Sequence, residues 1–190
     1  MKQVFQIKIT LKNITPLIWR RILVKADVKL PDLHKIIQTV MGWTNSHLHQ
    51  FICKDKHYSN PEYDDEWDDR WQVDYSNVKL SDLISEPNRQ FVYEYDFGDS
   101  WAHTLKIEKI FPAEKGMKYP TCIVGERCCP PEDCGSAGGY EDLLEIIKNP
   151  DDEEYESMME WLGGYFEPEF FDIEEVNAAL KEKDFGCFGG

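Results

Sequence analysis

Between Phe91 and Ile107 the chain writes out a β-hairpin by parity. Phe91, Tyr93, Tyr95 and Phe97 precede a Gly98-Asp99-Ser100 break, and Trp101, His103, Leu105 and Ile107 follow it. All eight positions are odd. Alternate residues of a strand share one face, and a slip of one residue turns every side chain over. Both arms therefore bury one face only if the loop between them has an odd number of residues. A three-residue loop, Gly98 to Ser100, meets that condition and puts Gly where a positive φ is needed. It would set His103 opposite Tyr95 on an aromatic face, one pair in from Phe97 and Trp101.

Phe5, Ile7, Ile9 and Leu11 alternate with polar residues as a half-buried strand. After an Asn13–Pro16 turn, Leu17 to Val24 is a second β-rich run, with Ile18, Arg20, Ile22 and Val24 on one side. Then the period lengthens. Leu33, Ile36, Ile37, Val40 and Met41 share one face of a helix, with Pro31 suited to its first turn and Gly42 to its stop. His47 to Cys53 reads as another strand, and Tyr58 to Asp74 as an exposed acidic insertion anchored by Trp67 and Trp71. Past Pro112 the spacing is irregular until Tyr140 to Lys148, a helix. A further helix runs through Met158, Met159 and Leu162 to Gly163-Gly164, and a last one starts from an Asp172/Glu175 capping box. No internal repeat is present. Strands first and helices last predict an α+β fold: an antiparallel sheet with hairpins packed on an N-terminal helix, plus C-terminal helices. The expected organisation is one domain, residues 1–190, with a sheet body over 1–125 and an acidic helical part over 126–190.

Charge narrows the function classes. The 190 residues carry 21 Lys and Arg against 36 Asp and Glu, a net charge of −15, distributed as +6 over residues 1–50, −8 over 51–140 and −13 over 141–190. Phosphate neutralisation needs a basic stripe, so nucleic acid is disfavoured as a partner. Only Arg20, Arg21, Lys25, Lys29 and Lys35 could offer a basic patch. No apolar run approaches the ~20 residues of a membrane span, and the first eight residues alternate rather than form a leader. The expected location is the cytoplasm, where the six cysteines stay reduced.

Four segments resemble the plasmid pRiA4b ORF-3-like family. They are Pro16-Leu17-Ile18-Trp19-Arg20-Arg21 with Leu33-His34; Gly42-Trp43 with Ser46-His47-Leu48-His49-Gln50-Phe51; Tyr93 through His103; and Cys129-Pro130-Pro131-Glu132-Asp133-Cys134-Gly135 running to Gly139-Tyr140. Together they span about residues 16–148. The chain departs from the pattern at Ser136, where a second Gly is expected. The resemblance implies an α+β domain of no established activity, with some relatives near mobile elements. A resolvase-like role does not carry over, because a serine recombinase needs a nucleophilic Ser among arginines and a basic DNA-reading module.

The chemistry-bearing residues fall into four groups. Asp96, Asp99, Trp101 and His103 crowd the hairpin tip, and two carboxylates with an imidazole suit a cation or proton transfer. Ordinary turn chemistry and a satisfied core histidine are the plain alternative. Cys122, Cys129 and Cys134 are candidate zinc ligands by spacing, although buried or exposed free thiols are the commoner outcome. Glu132 and Asp133 follow two prolines and precede the glycine-rich entry to a helix at Tyr140. Their charge repels an anion, so this loop suits a cation or a basic partner better than a nucleotide. His47 and His49, two apart on a strand, share a side and read as packing residues. Two functions remain. One is a binding or adaptor domain that engages a basic protein or peptide. The other is a metal-dependent enzyme or metal-stabilised domain in which Asp96, Asp99 and His103 meet Glu132 and Asp133, with Trp101 and Tyr140 beside them. The second requires the His103 ring to approach a Glu132 or Asp133 oxygen.

Overall fold

The computed structural model describes residues 2–63 and 70–187. Asp64, Asp65, Glu66, Trp67, Asp68 and Asp69 of the acidic insertion lie outside the described residues. The strands are β1 (Gln3–Leu11), β2 (Trp19–Lys25), β3 (His49–Cys53), β4 (Lys56–Ser59), β5 (Gln72–Asp74), β6 (Gln90–Tyr95), β7 (Trp101–Pro112) and β8 (Thr121–Glu126). They form one eight-stranded sheet in the order β5-β4-β3-β6-β7-β1-β2-β8. The helices are α1 (Leu30–Met41), α2 (Leu80–Leu83), α3 (Ser136–Lys148), α4 (Tyr155–Trp161) and α5 (Ile173–Ala179). The fold is α+β. The sheet is mixed, because β4 and β5 run parallel, and this corrects the purely antiparallel expectation. The parallel pair arises because the acidic insertion returns the chain to the start of β4 instead of turning it tightly.

Alternation explains the strands. Phe5, Ile7, Ile9 and Leu11 of β1 and Ile22 and Val24 of β2 are buried with Leu105 and Ile107 of β7. A bulge opposite Gln6 and Ile7 leaves Glu108 of β7 unpaired in the ladder. Its carboxylate takes Arg21 of β2 at 2.6 and 2.9 Å and Gln6 of β1 at 2.7 Å, so one side chain ties three strands. That pairing holds Glu108 down at about 2. α1 joins β2 to β3, and its Leu33, Ile36, Ile37 and Val40 lie in the same buried cluster as the strand residues. Gly42 ends it at φ 97, a left-handed position where glycine avoids the Cβ penalty. Trp71 is exposed and does not anchor the insertion. β8 has no alternating signal of its own; it exists because it pairs with β2.

The hairpin keeps the odd parity but not the loop length. Tyr95 pairs with Trp101, Tyr93 with His103 and Phe91 with Leu105, so the loop is Asp96 to Ser100. The ladder stops early at Asp96, whose φ is 56. Its Oδ1 accepts from the Gly98 N–H at 2.9 Å and the Asp99 N–H at 3.3 Å, an Asx turn that replaces the last strand pair. Phe97 is thereby turned out to solvent, 47% exposed.

Candidate metal centre

Three connections meet at the end of the hairpin. The first follows α1. Trp43 donates its indole N–H to the Pro130 carbonyl at 2.9 Å, and Thr44 donates its backbone N–H to Glu132 Oε1 at 2.8 Å. The second is the Asp96 turn. The third is the Pro130–Gly135 loop ahead of α3, where Asp99 Oδ2 accepts the Gly135 N–H at 3.1 Å. Gly139 allows this loop to close, since a Cβ there would lie 2.0 Å from the Cys134 carbonyl oxygen. The glycines serve chain crossing rather than anion binding. Ser136, where the family pattern leads one to expect Gly, adopts φ 59 and carries the strain of a left-handed position.

Behind these connections stands Arg20, buried on β2. Its Nε donates to the Val40 carbonyl at 2.7 Å, and its two terminal nitrogens reach the carbonyls of Trp19, Glu126 and Arg127 at 2.8–2.9 Å. The guanidinium also lies 3.9 Å over the Phe171 ring. One side chain thus fastens the end of α1 to the strand leading into the Pro130 loop.

Asp96, Glu132 and Asp133 are brought together, as their motifs suggested, but the histidine among them is His47. Its Nε2 lies 3.1 Å from Asp133 Oδ1, 3.5 Å from Glu132 Oε2 and 3.7 Å from Asp96 Oδ2. His47, Asp96 and Asp133 each offer a donor atom within 4.8 Å of the other two, a grouping found once among the described residues. Asp96 is only 7% exposed. The His47 Nε2 atom is buried and makes no hydrogen bond of acceptable geometry to any of the three carboxylates. Glu132 is held in place by Thr44 and by the Tyr95 hydroxyl, which donates to it at 3.0 Å while accepting from the Ser46 N–H at 2.9 Å. Burial, reinforced by Glu132, raises the Tyr95 hydroxyl above its ordinary range and keeps it a donor.

The other expected site residues lie elsewhere. His103 is completely buried, with Nδ1 3.3 Å from the Tyr93 carbonyl, and burial depresses it to about 4. It packs edge-on against Trp43, and the approach to Glu132 and Asp133 expected of its ring is made by His47 instead. Asp99 positions the loop. Trp101 and Tyr140 are interior residues, Tyr140 against Phe166. Cys122, Cys129 and Cys134 do not converge as a donor set, and burial pushes Cys122 up to about 11 and Cys134 up to about 12. The four thiols of this segment, those of Cys122, Cys128, Cys129 and Cys134, are free cysteines, with Cys122 and Cys129 buried.

His47 was missed because β3 begins two residues after it, so it does not share a strand face with His49. His49 instead stacks on His34, ring centroids 3.3 Å apart and planes within 1°. His34 Nε2 donates to Asn45 Oδ1 at 2.7 Å; its Nδ1 then accepts from the Tyr93 hydroxyl at 2.8 Å, whose oxygen accepts from Gln38 at 2.9 Å. Burial holds His34 at about 4 and His49 well below its ordinary value, so both rings are neutral. His34, His47 and His49 line a cleft of about 950 Å³ with Gln50, Tyr75 and Phe97. The signal available in the sequence was the Ser46-His47-Leu48-His49 segment itself, which belongs to the family pattern.

The chain is 38% identical over 161 residues, 84% of its length and 81% of the relative's, to the uncharacterized protein y4hQ of Sinorhizobium fredii (strain NBRC 101917 / NGR234). It is similar at a TM-score of 0.84 and 39% identity, over 93% of this chain and 98% of the other, to the crystal structure of a protein of unknown function, MM3350, from Methanosarcina mazei Go1. No activity is established for these relatives. The pattern described as "Plasmid pRiA4b ORF-3-like protein" matches residues 3–175, and the chain belongs to that family.

Proposed function

We propose that this protein binds one first-row divalent cation through His47, Asp96 and Asp133, with Glu132 as an additional carboxylate, and presents it to a ligand in the adjoining cleft. The observation that carries this reading is the buried His47 Nε2, ringed by three carboxylates at 3.1, 3.5 and 3.7 Å without a hydrogen bond to any of them. A single imidazolium proton satisfies one acceptor. Three converging carboxylates leave an excess of negative charge that a cation offsets. Donors about 2.1 Å from one ion stand roughly 3.0–3.4 Å apart in octahedral or tetrahedral arrangement. Asp133 is therefore already at chelating distance, and Glu132 and Asp96 need only close in by a few tenths of an ångström. One imidazole with carboxylate oxygens favours Zn²⁺ or Mn²⁺ over Ca²⁺ or Mg²⁺, which prefer all-oxygen sets. Held there by His47, Asp96, Asp133 and Glu132, such a cation would supply Lewis-acid polarisation of a ligand carbonyl or a water.

The same reading takes the chain as one domain whose sheet body, residues 1–125, packs on α1 and supplies His47 and Asp96. The acidic helical part, residues 126–190, supplies Glu132 and Asp133. Its place of work is the cytoplasm; no helix among the described residues is long and apolar enough to cross a membrane. The test is elemental analysis of protein purified without chelator, paired with thiol titration before and after chelation. The expected result is near one zinc or manganese per chain, lost in His47→Ala and in Asp96→Asn, with no cysteine unmasked. Asp96→Asn keeps an oxygen for the Gly98 and Asp99 N–H groups, so its turn survives. Full metal content in both variants, or thiols unmasked by chelation, overturns the assignment and returns attention to Cys122, Cys129 and Cys134.

A further inference from the structure

A separate cavity of about 220 Å³ is lined by residues of α3, α4 and the Pro130 loop. Leu143, Met158 and Trp161 wall it, Gly139 and Cys134 close it, and the one charged group on its lining is the Asp133 carboxylate. Trp161 is 51% exposed at its rim, and Tyr165 and Phe170 are exposed at 74% and 55%. From residue 149 to residue 180 the sequence contains eleven Asp and Glu and not one Lys or Arg. An apolar groove flanked by an exposed carboxylate, Asp133 at 70% side-chain exposure, and a half-exposed indole complements a side chain that is apolar along its stem and cationic at its tip. The stretch from residue 149 to residue 180 is strongly negative even with Glu169 paired to Arg127 at 2.8 Å, and it disfavours anionic occupants such as nucleic acid or an acidic lipid surface.

We infer that this cavity is the anchor of a docking surface for a basic segment of a partner protein, and that it takes an arginine side chain. The stem of the arginine lies on Leu143 and Met158, its guanidinium meets Asp133 and the Trp161 face, and neighbouring lysines face the acids of residues 149–180. Arginine fits better than lysine because a planar, weakly hydrated guanidinium both stacks on an indole and pairs with a carboxylate. The cavity and the proposed cation site meet at Asp133, which lines the one and offers a ligand oxygen to the other.

The experiment is fluorescence anisotropy on the full chain, with a labelled peptide of Lys, Arg and Gly as the probe and the same peptide with citrulline in place of Arg as the control. The expected result is binding that weakens with salt and falls about tenfold or more with citrulline or in Trp161→Ala, in keeping with a desolvated cation–π contact. Met158→Lys, which puts a cation into the cavity, weakens binding likewise. Trp71→Ala, an exposed tryptophan elsewhere, leaves it unchanged. Equal binding of the citrulline peptide, or an equal loss in Trp71→Ala and Trp161→Ala, reduces the surface to bulk electrostatics and overturns the assignment. Loss in His47→Ala with retention in Trp161→Ala moves the peptide to the cleft and overturns it as well.

Discussion

The interior of the β6–β7 hairpin and its turn end are built from adjacent residues and obey opposite rules. Inside, Tyr93, Tyr95, Trp101 and His103 alternate on a regular ladder, and burial holds His103 neutral. At the end, Asp96 leaves the ladder with a positive φ, and its carboxylate joins His47, Glu132 and Asp133 from two other connections. Regular pairing leaves a side chain one face to occupy. Where pairing breaks, the backbone is free to aim a carboxylate at a neighbour from another part of the chain, and the chemistry gathers there.

That contrast can be broken at its support. Replacing Arg20 with Met strands the carbonyls of Val40, Glu126 and Arg127, and we expect a loss on the order of 3–5 kcal/mol in chemical denaturation. If the variant keeps wild-type stability and still binds metal, the turn end does not depend on this fastening. Acid sharpens the interior half. His34 and His103 sit at about 4 in the folded protein, against an ordinary 6.5 when unfolded. The unfolded chain therefore binds more protons between these values, and stability that is complete above pH 6.5 is lost as pH falls towards 4, on the order of 3 kcal/mol for each ring. His103→Leu removes one share, so its stability should fall less steeply over that window; parallel curves would show that His103 is not held neutral.

Smaller changes separate positioning from binding at the turn end. Asp99→Ala deletes the acceptor of the Gly135 N–H, and about 1 kcal/mol of stability should go with it. Its metal content should stay at the wild-type level; a loss as complete as that of His47→Ala would make Asp99 a ligand. Ser136→Gly relieves a left-handed serine and should stabilise the protein by up to about 1 kcal/mol, read as a raised melting temperature. An unchanged or lowered value would mean that Ser136 contributes more through its hydroxyl, which lies 2.7 Å from the Gly135 carbonyl, than its backbone loses.

Periodicity made β1, β2, α1 and the hairpin arms readable, because each buries one face and its sequence repeats with the element. β8 was hidden because an edge strand paired with β2 and half covered by α5 has no clean alternation. The carboxylates of the site were legible as a pair of motifs, and the loop parity held. The identity of the histidine was not. His47 and His103 are both near aromatic residues in sequence, and only the early end of the ladder at Asp96 and the late start of β3 decide which of them faces the acids. The cysteine spacing misled for a related reason: sequence separation within an irregular loop says little about which way each thiol points.

β1 is an interior strand of the sheet, bonded on one side to β2 and on the other to β7, with Leu11 opposite His103. A ribosome delivers β2 at once but withholds β7 until some ninety residues more have been made, so the first hairpin must wait with one edge open. Gln6, Lys8, Thr10 and Lys12, interleaved with its apolar residues, are the kind of side chain that keeps such an edge from recruiting the wrong strand. The sheet closes only when β7 arrives, and the Pro130 loop emerges later still. Long-range pairing of this kind makes for slow folding, and His47 waits for its carboxylates through most of synthesis.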